Sequence, residues 1–348
     1  MPVITAGDIA DLVKGCLLDL GRMKFQQIAQ SLQEYPVMSK WLKKDRVIID
    51  DGRGIQRNIM DTTGSPGAHV GLFAEDTVTI IDHLKQMNIP WRHFTTAWGF
   101  ERRELLMNRG KSQIVDLVKV RRAGSMIDMA QKMEDAAWSS PSSTDETLPY
   151  GVPYWVVKGS TAVDGFTANL PSGHTTVGGI DPATVTGWRN YAYDHNSTFT
   201  TASTGIIFKW RTATRKIGFV SPTTIDDYSN GKISNYRHYT NETVMSNLEL
   251  LAESQNQNLG VDIDSMSKKV LWQGVPVMWV PKLDEDTSNP LYSINHSVFH
   301  PVVLKGDFMV ESDAKPSPRQ HNTFEVFVDL SYNYLCVDRR RCAVGAAV

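Results

Sequence analysis

Between a break at Asn108-Arg109-Gly110 and a stop at Ser139-Ser140-Pro141, the apolar residues Ile114, Val118, Met126, Met129, Met133 and Ala137 fall in helical register. That spacing places them on one stripe of a single helix running from about Ser112 to Trp138. The other faces are polar, with Lys111, Asp116, Lys119, Arg121, Asp128, Lys132, Glu134 and Asp135 alternating in sign. Proline disfavours the helical conformation in the residue before it, which ends the run at Ser140-Pro141. At 1.5 Å per residue the helix is roughly 40 Å long, more than a small core covers, so it is expected to act as a spine across which other elements lie. Gly124 in its middle costs about 1 kcal/mol relative to alanine. The long helix of an ordinary multi-layer enzyme fits this stretch equally well.

A chain of 348 residues suffices for two domains or one large one. Hydrophobic residues at 41% and charged residues at 21% are those of a folded globular protein, and no apolar run reaches the ~20 residues of a membrane span. A formal net charge of -2 argues against a dedicated nucleic-acid binder, which would carry an excess of lysine and arginine. Met1 to Gly7 lacks a basic run followed by an apolar core, so no signal peptide is expected and synthesis in a cytosol follows. Cys16, Cys336 and Cys342 fit neither a disulfide framework nor a metal knuckle, and are expected to be reduced and semi-buried.

In chain order, Ile9, Leu12, Val13, Leu17 and Leu20 mark a short amphipathic helix ending at Gly21, and Phe25, Ile28, Ala29 and Leu32 a second closed by Tyr35-Pro36. Neither can form a core alone, which predicts an arm. From Lys40 to Met107 the character turns to strand: Arg46 to Ile49, Ile55 to Met60, then the turn-dense Asp61-Thr62-Thr63-Gly64-Ser65-Pro66-Gly67. A return limb spans Ile89 to Glu104, with Phe94, Thr96, Trp98 and Phe100 on one side at a period of two. Two long antiparallel limbs lack a hydrophobic face large enough to be stable alone. The ribbon therefore lies either on its own domain or over a neighbouring copy, with Glu101, Arg102, Arg103 and Glu104 at its base supplying register.

After the spine, Tyr150 to Val157 reads as a strand and Gly159 to Gly179 as extended loop with one or two short strands. Thr201 to Ile217 is expected to be helical, and Thr240-Asn241-Glu242-Thr243 opens another helix ending at Gly260. Trp272 to Pro281 holds glycine and proline and reads as an edge strand, while Thr323 to Val337 alternates as a long half-buried one. The sum is α+β.

This order of parts resembles the major capsid proteins of tailed phages, the HK97 fold. Gly110-Lys111-Ser112-Gln113-Ile114-Val115-Asp116-Leu117 is similar to the approach to that family's spine helix, and Gly179-Ile180-Asp181-Pro182-Ala183 with Trp188-Arg189-Asn190 to a segment that follows it. Trp272-Gln273-Gly274-Val275-Pro276-Val277 with Leu283-Asp284-Glu285-Asp286, Tyr292 to Asn295 and Pro301 to Leu304 is another shared feature. The resemblance covers almost all of the chain. It implies an N-terminal arm (1–39), an E-loop (40–107), a peripheral domain with the spine (108–165), an axial domain (166–318) and a return to the peripheral domain (319–348). It further implies pentamers and hexamers closing into an icosahedral shell around double-stranded DNA, in a virion assembled in a host cytoplasm. Trp91, Trp98 and Phe100 would then pack over a neighbour's spine helix. Partners would be other copies, a separate scaffolding protein, a portal and a decoration protein, with no membrane. Many members carry a cleaved scaffolding extension of about a hundred residues, whereas here the arm-like helices start within ten residues of Met1, so either the scaffold is a separate protein, which Met1 favours, or this numbering is of a mature form. Of the lysines that cross-link some members, the ribbon offers Lys40, Lys43, Lys44 and Lys85. An encapsulin-type compartment shell is the alternative on the same fold.

No phosphate-cradling loop, HExxH or GxSxG occurs, so no catalytic residue, cofactor or metal is expected, and an enzyme of another type is the remote third reading. His296 and His300 stand four apart, but Pro301 follows and no ligand set surrounds them, so they are expected to be structural. Asp284-x-Asp286-x-Ser288 resembles the start of a calcium loop, yet Asn289 and Asn295 occupy its glycine and glutamate positions. Arg339-Arg340-Arg341 is expected to be a solvated strand end, and Lys14, Arg22 and Lys24 are weak candidates to face packaged DNA.

Overall fold

The computed structural model describes residues 34–50, 52–61, 69–72, 82–107, 111–160, 164–219, 235–255 and 270–348. The arm helices, Cys16, Lys14, Arg22, Lys24, the ribbon tip, the break at 108–110 and Gly260 lie outside them. The elements in chain order are α1 (Val37–Asp45, wound as a π-helix), β1 (Val47–Ile49), β2 (Gly54–Met60), β3 (Leu84–Pro90), β4 (Arg92–Glu101), α2 (Arg102–Met107), α3 (Lys111–Ala137), α4 (Val152–Trp155), β5 (Gly165–Thr167), β6 (Asn190–Asp194) and α5 (Ile206–Ile217). There follow β7 (Tyr236–Thr240), α6 (Glu242–Gln255), β8 (Leu271–Trp272), β9 (Val275–Trp279), β10 (Leu291–Asn295), β11 (Phe299–Glu311), β12 (Lys315–Pro316), β13 (Thr323–Cys336) and β14 (Ala343–Ala346). The spine helix α3 is present as its periodicity requires, and Met129 and Met133 of its stripe are buried. The described residues divide into two compact units, those within 95–132 and 309–329 in one and those within 34–94, 133–308 and 330–348 in the other.

The larger unit is built on a seven-stranded sheet in the order β5-β6-β14-β10-β7-β9-β8. Ile206, Trp210 and Ala213 of α5 and Val244 and Leu248 of α6 cluster with Tyr191, Tyr193, Val277 and Leu291 of the sheet to form its core. Asn241 caps α6 by accepting from the Val244 N–H at 3.0 Å, as its sequence predicts. The strand β14 lies in the middle of the sheet, parallel to β6 and antiparallel to β10. Its residues are small for a steric reason: a Cβ on Gly345 would stand 2.3 Å from the Tyr193 ring. Gly345→Ala should therefore destabilise the protein by about 1–3 kcal/mol, read as a lowered midpoint in urea.

A second core in the same unit surrounds Trp41 of α1. Its ring centroid lies 5.4 Å from Trp138, 5.6 Å from Tyr239, 5.4 Å from Phe299 and 6.0 Å from Tyr334, and its indole N–H donates to the Tyr239 hydroxyl at 2.7 Å. Here the structure departs from the sequence reading, which ends helical structure at Tyr35-Pro36. The large apolar rings of this box bury Trp41, and the short segment becomes helical to deliver it.

The smaller unit holds α2, residues 111–132 of α3 and the adjoining parts of β4, β11 and β13, with β12 paired to β13. Phe100 stacks on Phe324 at 5.5 Å, and the Glu104 carboxylate accepts two hydrogen bonds from Arg121, at 2.7 and 2.9 Å. The Arg121 guanidinium holds the Glu104 carboxyl below its ordinary range. Arg122 makes a similar fork onto Glu311.

Other differences have local causes. Arg102–Met107 is helical, because Glu104 reaches back to accept from the Glu101 N–H at 3.3 Å and starts a turn. Tyr150 to Val157 contains the short helix α4, with Pro153 in its first turn, where a missing N–H is harmless. The helix expected from Thr201 begins at Ile206. Gln273 and Gly274 both take positive φ, splitting the expected edge strand into a two-residue hairpin in which β8 forms the edge. Cys336 and Cys342 are free thiols, fully buried.

Candidate assembly surfaces

The ribbon is an antiparallel ladder, β2 against β3, in register from Gly54↔Pro90 to Met60↔Leu84. Its base is seated on its own molecule. Ile55, Met87 and Ile89 are almost completely buried, and the Asn88 N–H donates to the Gly178 carbonyl at 3.3 Å. Gly178 takes φ +63°, and a Cβ there would meet the Met87 sulfur at 2.9 Å, so only glycine permits this approach. Of the two seats the sequence leaves open for the ribbon, the base takes the one on its own domain, which the bare backbone at Gly178 provides. The outer half differs. Met60 is 63% exposed, Leu84 57% and Leu72 89%. Beneath that half lies a cleft of about 660 Å³ lined by Arg57, Met60, Lys85, Val185, Trp188 and Arg340.

Of the residues singled out as assembly contacts, Trp98, Phe100, Glu101 and Glu104 line one groove of about 590 Å³ in the smaller unit. Trp98 and Phe100 lie 6.2 Å apart. Arg102 and Arg103 are exposed on α2, and the Arg102 N–H donates to the Asn322 carbonyl at 2.8 Å. Trp91 belongs to the larger unit, where its indole N–H donates to the Gly52 carbonyl at 2.9 Å.

Buried charged side chains escape the sequence reading at two points. Glu134, counted there with the polar faces of the spine helix, is fully buried and accepts from the Val37 N–H at 3.0 Å and the Trp138 indole N–H at 2.8 Å. Burial pushes its carboxyl up to about 7, against those two hydrogen bonds. Because the folded protein holds this proton more tightly than the unfolded chain, the contribution to stability is full below pH ~4.5 and is lost as pH rises through about 7. The loss across that window is about 3 kcal/mol. Comparing denaturation midpoints of wild type and Glu134→Gln from pH 5 to 8 should show a decline in the wild type that the variant lacks.

Arg339 is the second. The expectation of a solvated arginine run is corrected: Arg339 and Arg341 are buried, and only Arg340 is exposed. The Arg339 guanidinium donates to the carbonyls of Trp155 at 2.7 Å and Trp188 at 2.9 Å and to Asn190 Oδ1 at 2.8 Å. Burial lowers its pKa to about 10, which leaves it charged at neutral pH. It ties α4, the Trp188-Arg189-Asn190 segment and the β13–β14 turn at one point. A run of three arginines shows no periodicity, so nothing local signals this role.

His296 accepts from or donates to the Tyr239 hydroxyl at 3.0 Å, and His300 bonds the Ser297 carbonyl at 2.9 Å. Asp286 is paired with Lys158 and bonded to Ser288. Among the described residues no group of three His, Cys, Asp or Glu side chains is placed to hold a metal ion, and no helix is long and apolar enough to cross a membrane.

Solved phage capsids share this architecture over nearly the whole chain. The Cyanophage A-1(L) capsid asymmetric unit matches with a TM-score of 0.65 at 16% identity, covering 96% of this chain and 99% of that one. The capsid of the native GTA particle matches at 0.59 and 11%, covering 99% and 100%. The capsid of Myoviridae Phage XM1 matches at 0.54 and 10%, covering 100% and 99%. No protein-family model and no curated protein matches the chain. The fold is therefore the mixed α+β, HK97-like fold of tailed-phage capsid structures.

Proposed function

We propose that the chain is a major capsid protein whose copies associate into pentamers and hexamers and close into an icosahedral shell around double-stranded DNA, and that it resides in the virion. The observation that carries this reading is the extent of the likeness: the match covers 96% of the chain and 99% of the cyanophage chain at a TM-score of 0.65. The exposed apolar end of the ribbon supports it, since Met60, Leu72 and Leu84 are costly in a lone molecule and are satisfied under or over a second copy. In this reading the arm is 1–39, the E-loop ribbon lies within 40–107, the peripheral domain is 108–165 with 319–348, and the axial domain is 166–318. The ring edges of Trp91, Trp98 and Phe100 left uncovered in the monomer meet the neighbouring spine helix, and Glu101, Arg102, Arg103 and Glu104 set register. A separate scaffolding protein, a portal and a decoration protein complete the partners; the DNA is held without sequence preference, and no catalysis is involved.

Each intersubunit contact is modest, but closed symmetry multiplies it and mass action makes the shell depend on subunit concentration. Negative-stain imaging of the protein purified from infected or co-expressing cells tests the proposal. Closed particles protecting nuclease-resistant DNA are expected. Closed particles filled with a protein cargo would point instead to an encapsulin-type compartment, and a discrete monomer or dimer at every concentration, with scaffold supplied, would overturn both.

A further inference from the structure

The register of the ribbon decides which backbone groups of β2 face outward. In an antiparallel pair, residues that exchange hydrogen bonds alternate with residues whose N–H and C=O both point away from the partner strand. The Asp61 N–H donates across the ladder to the His83 carbonyl at 3.0 Å, so the inward pairs inside it are Ile59↔Lys85, Arg57↔Met87 and Ile55↔Ile89. Gln56, Asn58 and Met60 of β2 therefore turn their backbone groups outward, as do Leu84, Gln86, Asn88 and Pro90 of β3. Pro90, which has no N–H to give, stands at such an outward position. On β3 two of the outward donors are taken, the Leu84 N–H by Asp82 Oδ1 at 3.2 Å and the Asn88 N–H by the Gly178 carbonyl at 3.3 Å. On β2 the outward groups of Asn58 and Met60 have no partner among the described residues.

That edge opens into the cleft of about 660 Å³. All five residues from Arg57 to Asp61 line it, whichever way their side chains turn, so the cleft runs alongside the strand. Arg57, Ile59 and Lys85 share the ribbon face that buries Ile55, Met87 and Ile89 at the base. The Arg340 guanidinium is held by Asp338, at 3.0 Å to each carboxylate oxygen. Arg57 and Lys85 have no ion pair among the described residues, and of the other lining side chains only Asp61 is acidic. The cleft thus joins an unpaired strand edge to two unpaired cations.

We propose that this cleft is a docking site for an extended, acidic segment of a separate protein, which joins β2 as a third strand and sets carboxylates against Arg57 and Lys85. The match is one of spacing and of charge. An extended chain offers an N–H and a C=O along one edge at every second residue, about 6.8 Å apart, which is the pattern Asn58 and Met60 display. A nucleic-acid backbone supplies acceptors alone and leaves both of those carbonyls unmet. Side chains opposite each other on paired strands lie about 5 Å apart, which puts a carboxylate of the added strand beside Arg57, while the long Lys85 side chain reaches it from across β2. Ile59, Val185 and Trp188 give the cleft an apolar lining suited to an aliphatic residue two positions further along the same face. The site needs only the folded subunit and stands apart from the formation of shells.

The test uses the full chain as dispersed subunits and a short synthetic peptide in which glutamate and valine alternate with threonine. Binding is followed by fluorescence anisotropy, and hydrogen exchange is read at individual amides. Saturable binding is expected, with exchange at Asn58 and Met60 slowed by about tenfold or more and exchange at Ile59, already bonded across the ladder, unchanged. Lysine in place of glutamate in the peptide, or N-methylation of its alternate amides, should each weaken binding by about tenfold or more. Arg57→Glu combined with Lys85→Glu changes two exposed side chains and should weaken it by a similar factor. Asn58→Pro removes only an outward N–H, as Pro90 does on β3, and should cut binding while leaving the thermal midpoint within a few degrees of the wild type. Absence of binding, affinity indifferent to N-methylation, or equal displacement of the peptide by duplex DNA or inorganic phosphate would each overturn the proposal. Protection of Asn58 and Met60 that rises with subunit concentration without peptide would assign the edge to a second copy and overturn it too.

Discussion

Arg339→Met is expected to destabilise the folded protein by a few kcal/mol and to lower its soluble yield. Methionine fills a similar volume but leaves the carbonyls of Trp155 and Trp188 without their donor in a site closed to water, while Asn190 Oδ1 keeps the Val157 N–H at 3.2 Å. Each buried acceptor left unmade costs about 1–3 kcal/mol, so the loss for the two is about 2–6 kcal/mol, against a total stability of about 5–15 kcal/mol for a typical domain. Removing a buried charge recovers part of its desolvation cost, which places the result at the lower end of that range. Arg339→Lys keeps the charge but not the planar fork, and should fall between the two. Soluble yield and urea midpoints measure both, and a midpoint for Arg339→Met equal to that of the wild type would contradict the role assigned to the guanidinium.

Removing the outer ribbon is expected to have the opposite profile: a stable subunit that forms no closed particle. Among the described residues the register runs out to Met60↔Leu84, so replacing residues 61–83 by Asn-Gly joins the two strands there with a turn suited to their twist. The buried base, Ile55, Met87 and Ile89, is untouched, and the thermal midpoint should stay within a few degrees of the wild type. If the exposed apolar end is what a second copy covers, particle yield on grids should fall to background. Normal shells from this variant would remove the ribbon from the assembly mechanism.

The contrast between these two sites shows what the sequence makes legible. The spine helix is readable because Met126, Met129, Met133 and Ala137 repeat with the period of the helix, and β13 because Phe324, Val326, Val328, Leu330 and Tyr332 alternate with their neighbours, although the expected half-buried strand is buried on both faces from Leu330 to Cys336. Asn241 is readable as a cap because its role is local. Trp41, Glu134 and Arg339 are not, because what decides each is a partner far away in the chain: Tyr239 for Trp41, the Val37 N–H for Glu134, and Trp155, Trp188 and Asn190 for Arg339. A charged residue in a helix or a basic triplet is most economically read as solvated until those partners are known. The same logic hides the seat of the ribbon, since nothing near Met87 announces that Gly178 offers it a gap.

The place of β14 bears on the order of events in the life of the subunit. Ala343–Ala346, a stretch of 4 residues, supplies the rung between β6 and β10, which precede it by long intervals in the chain. Until it docks, each of those strands presents open backbone groups along one edge, a template for pairing with the wrong molecule. Ribosomes deliver this segment after every other strand of the sheet, and such distant closure is slow. A chain ended before Ala343 keeps both edges open and cannot complete the sheet.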